Sequence, residues 1–270
     1  MDQKKKSEVS RETRSILLDK LLQDYELTKG DIADAVELYY DAQKLRIIHA
    51  NKERSEGVSP MKDWFDYWLN IGEKVLISKL KKWVESPESP LEAKWAYDQW
   101  GIGPIIASGL AAHIDIEKAA TISALWKFAG QAPGFDRKTK GSKLPYNGRL
   151  KTLCWKLGES FVKVSGKEGA IYGGLYVQFK TDEVSRNENG QYVKTAALEL
   201  TNKKFKPDTV TRKRLEQGKL SDGHLHARAK RRTIKLFLAH YWLKGREAKG
   251  LPVTDPYVFT VGGHSKEHQI

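Results

Sequence analysis

Apolar side chains recur along this chain at helical rather than strand spacing. Over residues 12–28, Ile16, Leu17, Leu21, Leu22 and Tyr25 fall on one stripe. Over residues 31–49, Ile32, Val36, Tyr39, Tyr40, Ala42 and Ile47 fall on another, behind an Asp31 placed to cap the helix. Ser59-Pro60 and Pro87 bracket a third helix, expected from Met61 to Val84. Its aromatics Trp64, Phe65, Tyr67 and Trp68 lead into Val75, Leu76, Leu80 and Trp83 at the spacing of a buried helix face, so they are expected in the core. A further helix from about Leu91 reaches Trp100, and a long one spans His224 to Leu243. Strand signals are scarce: only Pro252 to Val261 has a suitable pattern. The polar stretch Glu183 to Gln191 is expected to be an exposed loop or a frayed helix end. The fold expected is all-α, a helical bundle with a helix-hairpin-helix at its centre. Residues 1–90 form an N-terminal helical region and residues 91–270 a basic domain.

Charge changes this picture by its distribution. The 270 residues carry a formal net charge of +13. Residues 1–130 hold 19 basic and 21 acidic groups, whereas residues 131–270 hold 28 and 13. A neutral half joined to a strongly basic half is the footprint of a protein that binds a polyanion. The longest apolar run, Ile102 to Ile114, contains Gly, Pro and His and is too short to cross a bilayer, so no membrane partner is expected. The polar stretch Asp2 to Ser10 does not fit a signal peptide, and a cytoplasmic location follows as the default. The single cysteine, Cys154, excludes an internal disulfide and a cysteine-based zinc site.

The most informative stretch is Gly101-Ile102-Gly103-Pro104, between two helical patterns. Two glycines permit positive φ and close backbone approach, Ile102 is expected to point inward, and Pro104 suits a first helical position. The amides that open the second helix lack intrahelical acceptors and lie at the positive end of its dipole, where a phosphate oxygen satisfies both. The ordinary alternative is a plain helical corner. A dinucleotide fingerprint is not met, because no strand precedes the turn and position 106 is Ile.

Beyond the hairpin comes Phe128-Ala129-Gly130-Gln131-Ala132-Pro133, then a basic linker and Gly148-Arg149-Leu150-Lys151-Thr152-Leu153. With the hairpin and the closing helix bearing Ala-Arg-Ala-Lys-Arg-Arg at 227–232, this order resembles the C-terminal domain of a bacterial insertion-sequence transposase family. In that family a RuvC-like nuclease domain precedes a helix-hairpin-helix domain with a catalytic serine, and members work with a bridging RNA. The resemblance covers residues 97–157 and 222–245 and implies a DNA-binding helical fold. Two departures stand out. About ninety helical residues occupy the place of the nuclease domain, and the family's serine would fall near Arg137. Thr139 and Ser142 are the nearest hydroxyls, neither in register, so the fold is expected to be inherited without the chemistry.

Three basic clusters extend the expected footprint. Arg228, Arg231, Arg232 and Lys235 fall at i, i+3, i+4 and i+7 on the last helix, and a cluster of that kind without acidic partners would favour an anionic ligand. Lys203, Lys204, Lys206, Arg212, Lys213 and Arg214 make a second, and Arg137, Lys138, Lys140 and Lys143 a third. His224 with His226, and His264 with His268, lack a carboxylate or cysteine at ligand spacing, so no metal or other cofactor is expected. Tyr172, Tyr176 and Tyr192 suit either base stacking or packing. Three functions fit: a non-catalytic DNA-binding protein, a transposase or serine-type recombinase component using Ser142 or Thr139, and an RNA-binding structural protein. The N-terminal helices suit self-association, so a homo-oligomer is a further possible partner state.

Overall fold

The computed structural model describes residues 16, 20, 25–57, 59–132 and 143–253. Most of the expected first helix (12–28), most of the tail strand (252–261), and Arg137, Lys138, Thr139, Lys140, Ser142, His264 and His268 lie outside the described residues. Among the described residues the secondary structure is ten α-helices and one 3₁₀ turn, Lys29–Asp31, with no strand. The fold is therefore all-α. No helix among these residues is long and apolar enough to cross a membrane.

The helices are α1 (Ile32–Glu56), α2 (Pro60–Glu85), α3 (Leu91–Tyr97), α4 (Pro104–His113), α5 (Ile122–Phe128), α6 (Gly148–Lys163), α7 (Ile171–Glu188), α8 (Val193–Asn202), α9 (Val210–Glu216) and α10 (Asp222–Ala248). Their packing separates into two compact units. One holds the described residues up to Tyr97 together with Gly103–Asp115, and the other holds Asp98–Ile102 with those from Ile116 onward. The grouping does not follow chain order: α3 and α4 lie beyond residue 90 yet pack with α1 and α2.

In the first unit α1 packs along α2, and α4 packs against α1, α2 and α3. Ser59 caps α2 by accepting the Lys62 amide at 3.2 Å, with Pro60 at the first helical position. Asp31 does not cap α1. Its carboxylate instead accepts the Thr28 amide at 2.8 Å and the Thr28 hydroxyl at 2.6 Å, because the chain already turns at residues 28–31. The α2 aromatics depart from expectation more sharply. Trp64 is 54% exposed and Trp68 42%, and Phe65 and Tyr67 are only half-buried. The buried residues of α2 are Ile71, Glu73, Leu80, Trp83 and Val84, all in its later part, so the core gathers there.

The second unit is built on α10, which packs against α5, α6 and α7. Its core combines Leu150, Leu153, Cys154, Leu157 and Phe161 of α6 with Tyr172, Tyr176 and Phe179 of α7 and Ile234, Phe237, Leu238 and Tyr241 of α10. Phe161 stacks on Tyr172 at 5.0 Å, and both meet Phe237. Close helix approach depends on two glycines. A Cβ on Gly158 would lie 2.6 Å from Lys230 Cγ, and one on Gly173 would lie 2.8 Å from Ser165 Cα. α8 and α9 fold onto a small cluster of their own with Tyr192, Ala196, Leu215, Leu220 and Leu225.

The polar segment Glu183 to Gln191 is mostly helical, and only Asn189–Gln191 form an exposed turn. Helix α7 continues to Glu188, with Glu183 and Asn187 buried. The reason is periodic: Tyr172, Tyr176, Phe179, Glu183 and Asn187 share one face, and that face is covered along its whole length. Glu183 and Asn187 both find partners for their buried polar groups. Asn187 accepts the Leu220 amide at 2.8 Å and donates to the Leu220 carbonyl at 3.3 Å, tying the end of α7 to the approach to α10.

Candidate nucleic-acid interface

The central turn is set by local geometry on either side of the boundary between the two units, which passes between Ile102 and Gly103. Gly101 has φ +88°, a conformation that favours glycine. A Cβ there would lie 3.1 Å from Val164 Cγ2 and 3.3 Å from the Ser160 carbonyl, and the Ser160 hydroxyl donates to the Gly101 carbonyl. Gly101 thus packs on the end of α6, and its small size is used inside the protein. The Ile102 amide donates to the Gln99 carbonyl at 3.0 Å, and the Ile102 side chain is 5% exposed.

Gly103, in the first unit, is the residue before α4 and is extended, with φ −87° and ψ 174°. It therefore does not use the positive φ that glycine permits. Space is open beside it, since nothing lies within 4 Å of where a Cβ would sit. Pro104 has no amide hydrogen, and the Ile106 and Ala107 amides both donate to the Gly103 carbonyl at 3.1 Å. The donors at this end that the helix itself does not use are the amides of Gly103 and Ile105. That is a smaller anion-binding edge than four orphan amides would give.

The cationic stripe of α10 is where the structure most changes the sequence reading. Arg228 Nε donates to Glu183 Oε2 at 2.6 Å, and the Tyr192 hydroxyl donates to the same oxygen at 2.6 Å. Arg232 reaches Glu183 and Asp182, each at 3.4 Å, with its guanidinium 4.2 Å from the Phe179 ring centroid. The Lys235 ammonium sits 4.0 Å from the Trp126 ring centroid. Burial first, and the charge of Arg231 second, hold Lys235 below its ordinary pKa. The stripe is therefore not uncompensated: two of its four cations meet internal carboxylates and a third covers an indole. Arg231 alone of the four is exposed, and no ion pair to it is present among the described residues. Burial pushes the Glu183 carboxyl up. Hydrogen bonds from Arg228 and Tyr192, with the charges of Arg228 and Arg232, outweigh this and hold it below the usual value.

Neighbouring polar groups on α10 are also committed. Lys230 is buried and pairs with Glu159. His226 Nδ1 lies 2.7 Å from the Tyr176 hydroxyl, and His224 Nδ1 lies 3.1 Å from Glu199 Oε1. Tyr172, Tyr176 and Tyr192 are buried, so they pack rather than present faces for stacking.

Cations are displayed instead around the α8–α9 pair. Lys203 pairs with Glu199 at 3.1 Å, Arg212 with Glu216 at 2.7 Å, and Arg214 with Asp222. Lys204, Lys206 and Lys213 are exposed, with no ion pair among the described residues. An open cleft of about 580 Å³ is lined there by Thr201, Lys203, Lys204, Phe205 and Arg212, among others. Lys143, from the third basic cluster, is also exposed. Sequence reasoning overlooked Glu183; its place on the apolar face of α7 signals burial but not which cations it meets.

Neither protein families, curated proteins nor solved structures offer a match to this chain.

Proposed function

We propose that this chain is a DNA-binding protein related to the C-terminal domain of bridge-RNA-guided insertion-sequence transposases, and that it holds the phosphate backbone without cutting it. The observation that carries the reading is the set of exposed cations on the second unit, Lys204, Lys206, Lys213 and Arg231, within a half of the chain where basic groups outnumber acidic ones 28 to 13. Cations held out in water without internal carboxylates suit counterion release from a polyanion. The amides of Gly103 and Ile105 provide a further phosphate contact at the start of α4. Arg228, Arg232 and Lys235 contribute mainly by packing and ion pairing, and the hairpin resemblance supports DNA as the polyanion.

Fluorescence anisotropy of labelled duplex DNA across a salt series tests the reading on the full chain. Affinity is expected to fall steeply with salt, and K204E/K206E/K213E is expected to weaken binding by more than about 10-fold and to flatten the salt slope. Absence of salt-dependent binding by the unaltered protein overturns the proposal. Stronger binding of structured RNA than of duplex DNA would transfer it to RNA.

A further inference from the structure

Helix α6 turns Leu150, Leu153, Cys154, Leu157 and Phe161 into the core, and Trp155 lies on the opposite side, 56% exposed. A lone exposed aromatic needs no explanation in itself. What sets Trp155 apart is its surroundings. Lys151 and Lys163, both exposed, share its helix face at i−4 and i+8. From α10 the Lys230 ammonium approaches to 5.2 Å from the indole centroid. The one acid of this face, Glu159, is held by Lys230, so its charge is already matched. Lys230 and Glu159 cancel each other, so the net positive charge beside this half-exposed aromatic surface comes from Lys163 and from Lys151, whose ammonium lies 4.1 Å from the Tyr146 ring centroid.

We infer that Trp155 is a stacking platform for an unpaired nucleobase, with Lys151 and Lys163 contacting the phosphates that flank it. This deepens the proposed function and rests on it, by naming the form of nucleic acid that this face takes. Every base has a π face, so an exposed indole beside cations binds single strands with little sequence preference. Bases inside a duplex are already stacked on their neighbours and do not present that face to a helix surface. The occupant is thus a single-stranded segment, and its sugar is not specified by stacking alone.

The test compares the full-length protein with W155A and W155F, using labelled thymidine homopolymer, uridine homopolymer and a duplex DNA in anisotropy titrations. W155A is expected to lose about 10-fold in affinity for single strands and to leave duplex binding within about 2-fold, while W155F retains most single-strand affinity. The two homopolymers separate a DNA source from an RNA source. Equal single-strand affinity in W155A and the unaltered protein overturns the platform, as does an equal loss on duplex. Duplex binding with no single-strand binding by the unaltered protein also overturns it and leaves the proposed function intact. Binding to none of the three overturns both.

Discussion

Helices α2 and α7 carry aromatic residues at the same helical spacing and use them in opposite ways. On α7, Tyr172, Tyr176 and Phe179 are buried against α6 and α10, and the covered face runs on through Glu183 and Asn187. On α2, Trp64 and Trp68 stand in solvent, edge to face with centroids 6.1 Å apart. Period 3.6 places residues on one side of a helix; it does not say that anything packs there. The difference lies in the neighbours. Both helices have helical neighbours, but those of α7 cover its aromatic face, whereas the fully buried residues of α2 begin only at Ile71, beyond its aromatics. A buried face can even absorb charge. Glu183 is 1% exposed, and it is stable there because two arginines and a tyrosine satisfy it.

The sharpest break in this comparison comes from truncating a ring on the covered face. F179A removes a buried ring and the surface beneath Arg232, and is expected to destabilise the second unit by about 3–5 kcal/mol in urea unfolding. A loss below about 1 kcal/mol would mean that the face is not packed as described.

Next in size is the buried carboxylate. E183Q leaves Arg228 without its anion and Arg232 with Asp182 alone, and is expected to cost about 2 kcal/mol, less than a fully desolvated pair because Arg228 and Arg232 keep part of their exposure. The pH dependence has a definite sign. The folded-state pKa of Glu183 is held below its unfolded value, so its stabilisation is present above the usual carboxylate range and drains away as pH falls through the folded value. Unfolding curves at neutral and acid pH should therefore show a smaller acid-induced loss in E183Q than in the unaltered protein. An identical loss would remove Glu183 as a source of stability.

The smallest effect is expected on the open face. W64A and W68A should each cost about 1–2 kcal/mol in the same urea measurement, less than F179A, since about half of each residue is already in water. A loss on the scale of F179A would show that α2 is covered in solution.

Local chemistry made much of the fold readable in advance. Ser59-Pro60 starts α2 because a hydroxyl cap followed by proline suits a helix N-terminus wherever the helix goes. The turn at Gly101 is local in the same sense, since a positive φ there favours glycine. The exposed lysines around α8 and α9 were legible as a basic cluster, because long charged side chains default to solvent.

Pairing across the molecule was not legible. Arg228, Arg231, Arg232 and Lys235 share a helix face, but which of them remain open to a ligand was settled by Glu183, 45 residues before Arg228. Likewise, only packing on the end of α6 revealed that Gly101 serves an internal contact. The amino-acid sequence by itself determined that the fold is all-α, where α2 begins and where the chain turns at Gly101, and that its positive charge collects in the later half. Those properties follow from backbone sterics, helical periodicity and counting. Tertiary structure alone decided which aromatic faces are covered and which cations are neutralised. Both depend on what distant segments bring alongside, and no local pattern encodes that.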